Sequence, residues 1–571
     1  MTFPQRYARP EHRRSLASRW GLDGRIGGPM GRHAWPRGRF FDPAPWAVLT
    51  ATLVWLLAIY RMTPCIQHNV TKGVDPYQRL CYSDIPVIYQ SSGMGHGAGL
   101  LRGIGIEQSP LVTALMAFTR AVTGLVGGHV GPTASPQQVL DASNIYWGIA
   151  QIVLFAAFLG VVVAVMLMGR GSDHGVGMTA QGRPDSPPRR SWDVFRVAAN
   201  PSIYLAGLVD FTLVPVCLVM FSLLAWARRR PALAGMLIGL ACAGSLQAGL
   251  VAFAVVVLCL RATRLTELGR YLVTAITVLA ACHLVVLLIS PRTWWRSFHN
   301  TFWSGTGLGT VWYIVKDSTG SIVPWVGWIS GVLTAAGLIA LAWFSLSTPR
   351  RPRLSQVACL AVIVFLLTAK VYSPQFVLLL IPLCVLARPD WRDWTVITIT
   401  ESLYFCAVWA HLGGLTMPGG SSSDVVYWVA IVLRLGGQVW FGWGILDDMR
   451  RPWVDSVRVG FTDDPTGGVL DHAPDGQDEA AVVEPEMAEV EDQIAVSREV
   501  GAGETGAPVG PGEPRDRFEL SAVGPGVSAV QPGSPASSTA MAEDSTGTPT
   551  DRPDAAGERL AADEPETGPT R

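Results

Sequence analysis

From residue 46 to residue 450 the chain is a succession of apolar blocks separated by short loops in which arginine recurs. A bilayer demands this pattern. At ~1.5 Å rise per residue, a helix needs about 20 apolar residues to cross ~30 Å of hydrocarbon. Composition agrees, with 49% hydrophobic and 15% charged residues among 571 and a mean hydropathy of +0.31. Soluble enzymes and soluble binding modules are excluded. The net charge of zero averages unlike regions. Residues 1–45 are rich in Arg and form a basic N-terminal segment, 46–450 form the transmembrane domain, and 451–571 form an acidic tail. Beyond Val454 that tail is dominated by Asp, Glu, Pro, Gly and Ser, so it is expected to be disordered. The first apolar block lacks a small-residue cleavage site, so Trp46–Tyr60 reads as a retained first span.

Loop arginines orient the spans, because cytoplasmic loops are enriched in them. The basic N-terminal segment is placed in the cytoplasm and residues 61–108 outside. The next basic segment, 169–199, belongs inside, yet two apolar blocks precede it. Residues 110–126, interrupted by Arg120, are therefore expected to form an interfacial or re-entrant helix, an ordinary span being the alternative, and 144–168 the second span. Arg228–Arg230 follow block 197–226, which must enter and leave as a hairpin with Asp210 near its apex. Block 231–260 makes a second hairpin with its apex around Ser245–Gln247, and 356–388 a third with Lys370–Gln375 at its tip. Each arm has about 14 residues, or ~20 Å, too short to cross. The tips should therefore floor a cavity open to the outside, where non-helical backbone is tolerated at membrane depth. Spans 271–290, 324–347, 394–413 and 425–446 complete an all-α, polytopic fold of about twelve helices. A second outer loop covers 291–323, and both termini are cytoplasmic.

Ionisable side chains at membrane depth are costly and mark functional sites or ion pairs. Asp210 and Lys370 are such candidates, with an uncatalytic charge pair as the alternative. The first outer loop adds Asp84 and Glu107, with Arg79 and Arg102 nearby in sequence. The glycine-rich run from Gly93 to Gly105 lacks a Walker pattern and reads as a flexible loop. The second outer loop offers Arg292, Trp294, Trp295, Arg296, His299 and Trp303, as a sugar platform or an interfacial aromatic belt. Of nine cysteines, seven lie in apolar blocks as small hydrophobes. Cys65 and Cys81 share the first outer loop, where either a disulfide or two free thiols are open. No Cys/His cluster has zinc spacing, and no metal ligand or cofactor is assigned; the carboxylates are too dispersed to define a divalent-metal site.

The succession CYSDIPVIYQ, IEQSP, GLVDFTLVP and AKVYSPQFVLLLIPL resembles the GT-C superfamily of membrane glycosyltransferases. Within it, the chain is most similar to bacterial glycosyltransferase family 87, the polyprenyl-phosphate-mannose-dependent mannosyltransferase-like proteins. The resemblance covers about residues 45–450. Only three lysines, Lys72, Lys316 and Lys370, against many arginines fit a high-G+C bacterial genome. The resemblance implies a GT-C-like fold, a polyprenyl-phosphate hexose donor and an essential acid matching Asp84. It also matches Glu107 to the acid before Pro110 and Asp210 to the acid of an Asn-Trp-Asp element. This chain departs from the family where Leu208-Val209 replaces Asn-Trp, where Glu107-Gln-Ser-Pro110 replaces Glu-Tyr-Pro, and where no Lys stands at the second hairpin tip.

The implied reaction is transfer of a hexose, mannose first, to a cell-envelope glycolipid or polysaccharide on the outer face of the bacterial cytoplasmic membrane. A phosphate ester leaves as a stable anion, so one carboxylate acting as base suffices, unlike the acid pair of glycoside hydrolysis. Asp84 takes that role with Glu107 beside it. Lys370, Gln375, Arg79, Asp210, Arg296 and His299 are the candidates for donor phosphate and substrate. Nucleic acid is not an expected partner; the bilayer is. Two rivals remain: a sugar or lipid transporter or flippase, against which stands the lack of an internal repeat, and a catalytically degenerate GT-C scaffold in envelope assembly.

Overall fold

The computed structural model describes residues 43–69, 73–97, 108–169, 191–303, 305–321, 323–416, 424–452, 455–457, 464, 466–471 and 473. All of these belong to the first of two compact units, Met1–Gln493; Ile494–Arg571 is the other. The described residues form helices, turns and no strand. In chain order the helices are α1 (Pro43–Met62), α2 (Asp84–Ser91), α3 (Pro110–Leu125), α4 (Pro136–Gly169), α5 (Phe195–Ala198), α6 (Pro201–Ala206), α7 (Leu213–Ala227), α8 (Pro231–Cys242) and α9 (Ala248–Arg261). There follow α10 (Leu265–Ile289), α11 (Pro291–Trp303), α12 (Val311–Thr319), α13 (Val326–Ser347), α14 (Leu354–Thr368), α15 (Val377–Ala387), α16 (Trp391–Leu412) and α17 (Val425–Arg450).

Six of these, α1, α4, α10, α13, α16 and α17, are long and apolar enough to cross a membrane, and six apolar segments are shorter. That is the expected all-α polytopic architecture. Val273, Ile276, Leu284 and Leu288 on α10, and Val332, Ile339 and Trp343 on α13, point out of the protein. Water penalises such surfaces and lipid does not. Between α8 and α10 the backbones approach closely. A Cβ on Gly235 would stand 2.1 Å from the Tyr271 carbonyl oxygen, and one on Gly239 2.3 Å from that of Ala275. The Gly235-x-x-x-Gly239 spacing puts both glycines on one face, the usual device for close helix contact in lipid.

The two ends of the bundle differ in chemistry. One carries a disulfide, Cys65–Cys81, with a Cα–Cα distance of 5.9 Å, which settles the choice left open by the sequence. The other carries the arginine loops, including Arg229, Arg261, Arg351, Arg353 and Arg388. The tips of all three short hairpins face the disulfide end. Helix α3 also belongs there. Its first turn is held by the second tip (Leu111 N to Ala243 O, 3.0 Å), and the loop beyond it by the first outer loop (Gly131 N to Gly95 O, 3.1 Å). Both ends of α3 thus lie on one side, as a re-entrant or interfacial helix requires.

Three expectations change. Helix α4 extends back to Pro136 rather than starting at 144. The incoming arm of the first hairpin is two short pieces, α5 and α6, instead of one helix. Pro201 cannot donate a backbone N–H, and the Asn200 side chain caps the restart by accepting from Ser202 N at 2.8 Å.

The third change concerns the start of the tail, which the sequence placed outside the folded domain. Arg353 donates to both Asp455 carboxylate oxygens, at 2.7 and 3.1 Å, with side chains 1% and 3% exposed. Leu354 N donates to Asp464 at 3.0 Å, Arg351 to the Ala473 carbonyl at 2.9 Å, and Arg229 to that of Gly468 at 3.1 Å. Gly468 has φ +54°, and a Cβ there would meet the Trp226 carbonyl oxygen at 2.3 Å. Low apolar content did not prevent docking, because aspartates and carbonyls satisfy arginines at the hairpin ends. The rest of the acidic tail, 474–571, lies outside the described residues.

Removing one partner of a buried ion pair leaves an uncompensated charge, at a cost of about 3–5 kcal/mol. Asp455→Ala should therefore lower the thermal unfolding midpoint of the purified protein clearly, as should truncation at 454. Deletion of 494–571 should leave that midpoint unchanged.

Candidate functional site

A short hairpin exposes backbone groups at its tip that need partners away from bulk water. Each tip is capped by a different loop. At the first, Asp84 N donates to Val209 O at 2.8 Å and Ser83 Oγ to Leu208 O at 2.8 Å. At the second, Ser109 Oγ donates to Gly244 O at 2.8 Å, beside the Leu111–Ala243 bond. At the third, Gly307 N donates to Lys370 O at 2.9 Å and Tyr372 N to Leu308 O at 3.0 Å.

The first cap places a carboxylate. Ser83 is extended, at φ −143°, and its hydroxyl accepts from Ile85 N, starting α2 with Asp84 in the first turn. Tyr82 Oη donates to Asp84 Oδ1 at 2.7 Å. Burial raises the Asp84 carboxyl above its ordinary value, and the Tyr82 hydrogen bond partly offsets this.

Across the clasp, the turn between α6 and α7 holds Asp210. It accepts from Thr212 N at 2.9 Å and Thr212 Oγ1 at 2.8 Å. Gln375 Nε2 of the third tip donates to Asp210 Oδ2 at 3.2 Å, and Ser373 Oγ fixes the Gln375 amide by donating to its Oε1 at 2.6 Å. Burial raises the Asp210 carboxyl too, and the neighbouring Asp84 charge adds to the shift. Three segments far apart in sequence therefore bring Asp84, Asp210 and Gln375 together. The arrangement can take a proton at one carboxylate while amide and hydroxyl groups hold the other.

The remaining sequence candidates fall as follows. Lys370 opens the turn that carries Gln375, half-buried. Arg79 is exposed on the turn 76–80, and Arg296 and His299 are exposed on α11. The part of the second outer loop that pairs with the Lys370 turn through its backbone is 307–308. Glu107 and Arg102 lie outside the described residues. Among the described residues, no group of three His, Cys, Asp or Glu side chains is placed to hold a metal ion.

Sequence reasoning missed a buried network behind the Lys370 turn. Arg434, fully buried in α17, stacks its guanidinium 3.5 Å over the Tyr372 ring and donates to Gly309 O at 2.8 Å. Glu401 accepts from Tyr372 Oη at 2.6 Å and from Gln438 Nε2 at 2.7 Å. Gly309, with φ +77°, lies so close that a Cβ would meet Tyr404 Oη at 2.1 Å. One network thus grips both sides of the 307–309 and 370–372 pairing. Glu401 and Arg434 were legible in principle as ionisable residues inside spans.

No family model matches the sequence, and no curated protein matches it. Among solved structures, the chain is similar to "Crystal Structure of ArnT from Cupriavidus metallidurans bound to Undecaprenyl phosphate", at 15% identity and a TM-score of 0.36, covering 75% of this chain and 77% of that chain. That likeness is too distant to carry over a site or an activity.

Arg434→Ala should release Gly309 O and remove the cation lying over Tyr372, costing about 1.5–3 kcal/mol, the scale of one hydrogen bond from a charged group. Hydrogen exchange should then quicken at 370–376 while the α8–α10 contact keeps its protection.

Proposed function

We propose that the chain is a membrane glycosyltransferase that moves a hexose, mannose first, from a polyprenyl-phosphate donor to a cell-envelope glycolipid or glycan on the outer face of the cytoplasmic membrane. The observation that carries this reading is the convergence of Asp84, Asp210 and Gln375 at the disulfide end. The family 87 resemblance rests on the same stretches: the Tyr-Ser-Asp element, the first hairpin tip and the Lys370–Gln375 turn.

The sidedness has two supports. A disulfide persists in an oxidising compartment, and arginine loops favour the cytoplasmic side. The Cys65–Cys81 bridge and the arginine clusters occupy opposite ends. The donor's prenyl tail stays in lipid, so its phosphate sits at the outer interface, within reach of the hairpin tips.

Asp84 removes the acceptor hydroxyl proton as the acceptor oxygen attacks the anomeric carbon. The bond from that carbon to the phosphate oxygen breaks, and polyprenyl phosphate departs as an anion. Displacement in one step inverts the anomeric centre. Lys370 supplies positive charge to the departing phosphate, with Gln375 beside it as an amide donor. The exposed positions of Arg79, Arg296 and His299 assign them at most an outer role in drawing anionic donor to the site.

Asp84→Asn keeps the side chain's shape and removes the base. Transfer from labelled polyprenyl-phosphate hexose should fall by about 10²–10⁴-fold while the protein still folds. Full activity in that variant overturns the assignment. The base works ionised, so activity should vanish as pH falls through the Asp84 pKa. Because burial raises that pKa, the acid limb of kcat/KM should lie above the ordinary ~3.9 of an aspartate.

A further inference from the structure

The cap on the first hairpin tip fixes the main chain of Asp84, but a main-chain bond leaves its carboxylate free to rotate. One side chain fixes the carboxylate itself. We propose that Tyr82 is a positioning residue for Asp84, holding Oδ1 so that Oδ2 is presented to the acceptor hydroxyl. The proposal rests on the reading of Asp84 as the base.

Three observations support it. The Tyr82 phenol donates to Oδ1 at 2.7 Å, and among the described residues no hydrogen bond engages Oδ2. The half-buried Tyr82 ring is held by packing against two others in a three-ring cluster. Its centroid lies 5.1 Å from Tyr77 at an interplanar angle of 19°, and 5.0 Å from Trp409 at 38°; Tyr77 and Trp409 are 5.8 Å apart. The wedge is itself anchored. Tyr77 N donates to Asp75 Oδ1 at 2.9 Å, Trp409 belongs to the long helix α16, and Cys81, next to Tyr82, is tied to Cys65 at the end of α1. Rings packed in this way lose little further freedom when they hold a partner.

A base held in one orientation is part of the barrier already removed before the substrate arrives. The phenol also opposes burial. It stabilises the ionised carboxylate, while its own proton is held firmly by burial and by the Asp84 charge. Among the described residues, the carboxylate facing Asp84 across the clasp is Asp210, which the Asp84 charge helps to raise. Tyr77 and Trp409 bring no charge. Tyr82 thus keeps Asp84 both aimed and ionised.

The test is Tyr82→Phe, which keeps the ring in its wedge and removes only the donor. Transfer of hexose from the polyprenyl-phosphate donor should fall about ten- to hundred-fold in kcat, the scale of one hydrogen bond to a charged group, with the donor KM nearly unchanged. The acid limb of kcat/KM should move to higher pH, because the carboxylate loses a bond that favours its charged form. Replacing Tyr82 by 3-fluorotyrosine, a stronger donor of nearly the same size, should move that limb to lower pH. A purely structural Tyr82 would leave the limb in place in both proteins. That result, with Asp84→Asn inactive, overturns the proposal while leaving the base in its role. An active Asp84→Asn overturns the base itself and the proposal with it.

Discussion

A backbone that turns back inside a membrane must find hydrogen-bond partners there, since lipid supplies none. Three hairpins in this chain are too short to reach the far side on both arms, so three tips carry that problem. Each is solved by a segment from elsewhere: residues 83–84 for the first, 109–111 for the second, 307–308 for the third. The caps do more than satisfy polar groups. Because the capping segments come from connecting loops, they draw those loops onto the hairpin tips. The caps on the first and third tips bring the side chains of Asp84 and Gln375 to Asp210.

The opposite end follows a different rule. There the chain reverses at arginines, whose partners are aspartates and backbone carbonyls. Arg353 meets Asp455, Arg388 meets Asp393 and Asp448, and Arg229 reaches Gly468 and Asp471. Arginines tie the arms together at this end; at the disulfide end backbone bonds and aromatic stacks do so, together with the His411–Asp424 contact at 2.7 Å. The network of Arg434, Glu401, Tyr372 and Gln438 adds a buried cluster beside the third tip. It is fully buried and serves the pairing of 307–309 with 370–372, so it acts as a brace.

Much of this was legible in the sequence, for identifiable reasons. Span lengths follow from rise per residue, and the hairpins follow from arginines that would otherwise fall on the wrong side. That reasoning placed Asp210, Ser245–Gln247 and Lys370–Gln375 at tips, and it held α3 to one side. What failed depends on partners distant in sequence. Nothing local says that Asp455 will find Arg353, or that Tyr77 and Tyr82 will close on Trp409, more than three hundred residues away. The break at Asn200-Pro201 was local and readable, but block hydropathy averages over it. Glu107 lies outside the described residues; the acid that the structure brings to Asp84 is Asp210, from across the clasp.

That pairing raises the question of which acid does the chemistry, and hydrogen bonding answers it better than position does. Asp210 accepts from Thr212 N and Thr212 Oγ1, one at each oxygen, and from Gln375 at Oδ2. Its two oxygens are occupied by the turn it stabilises and by the neighbouring tip. To take a new partner it would have to give up one of these bonds, and that would loosen the turn that holds Val209 O for the clasp. Asp84 accepts one side-chain bond, at Oδ1. It alone of the pair keeps an oxygen for a substrate hydroxyl. In the proposed reaction, then, Asp210 supports the shape of the site, while Asp84, raised above an ordinary aspartate by its burial, takes the proton. The sequence marks both as acids at hairpin or loop apices; only the count of donors around each separates the brace from the base.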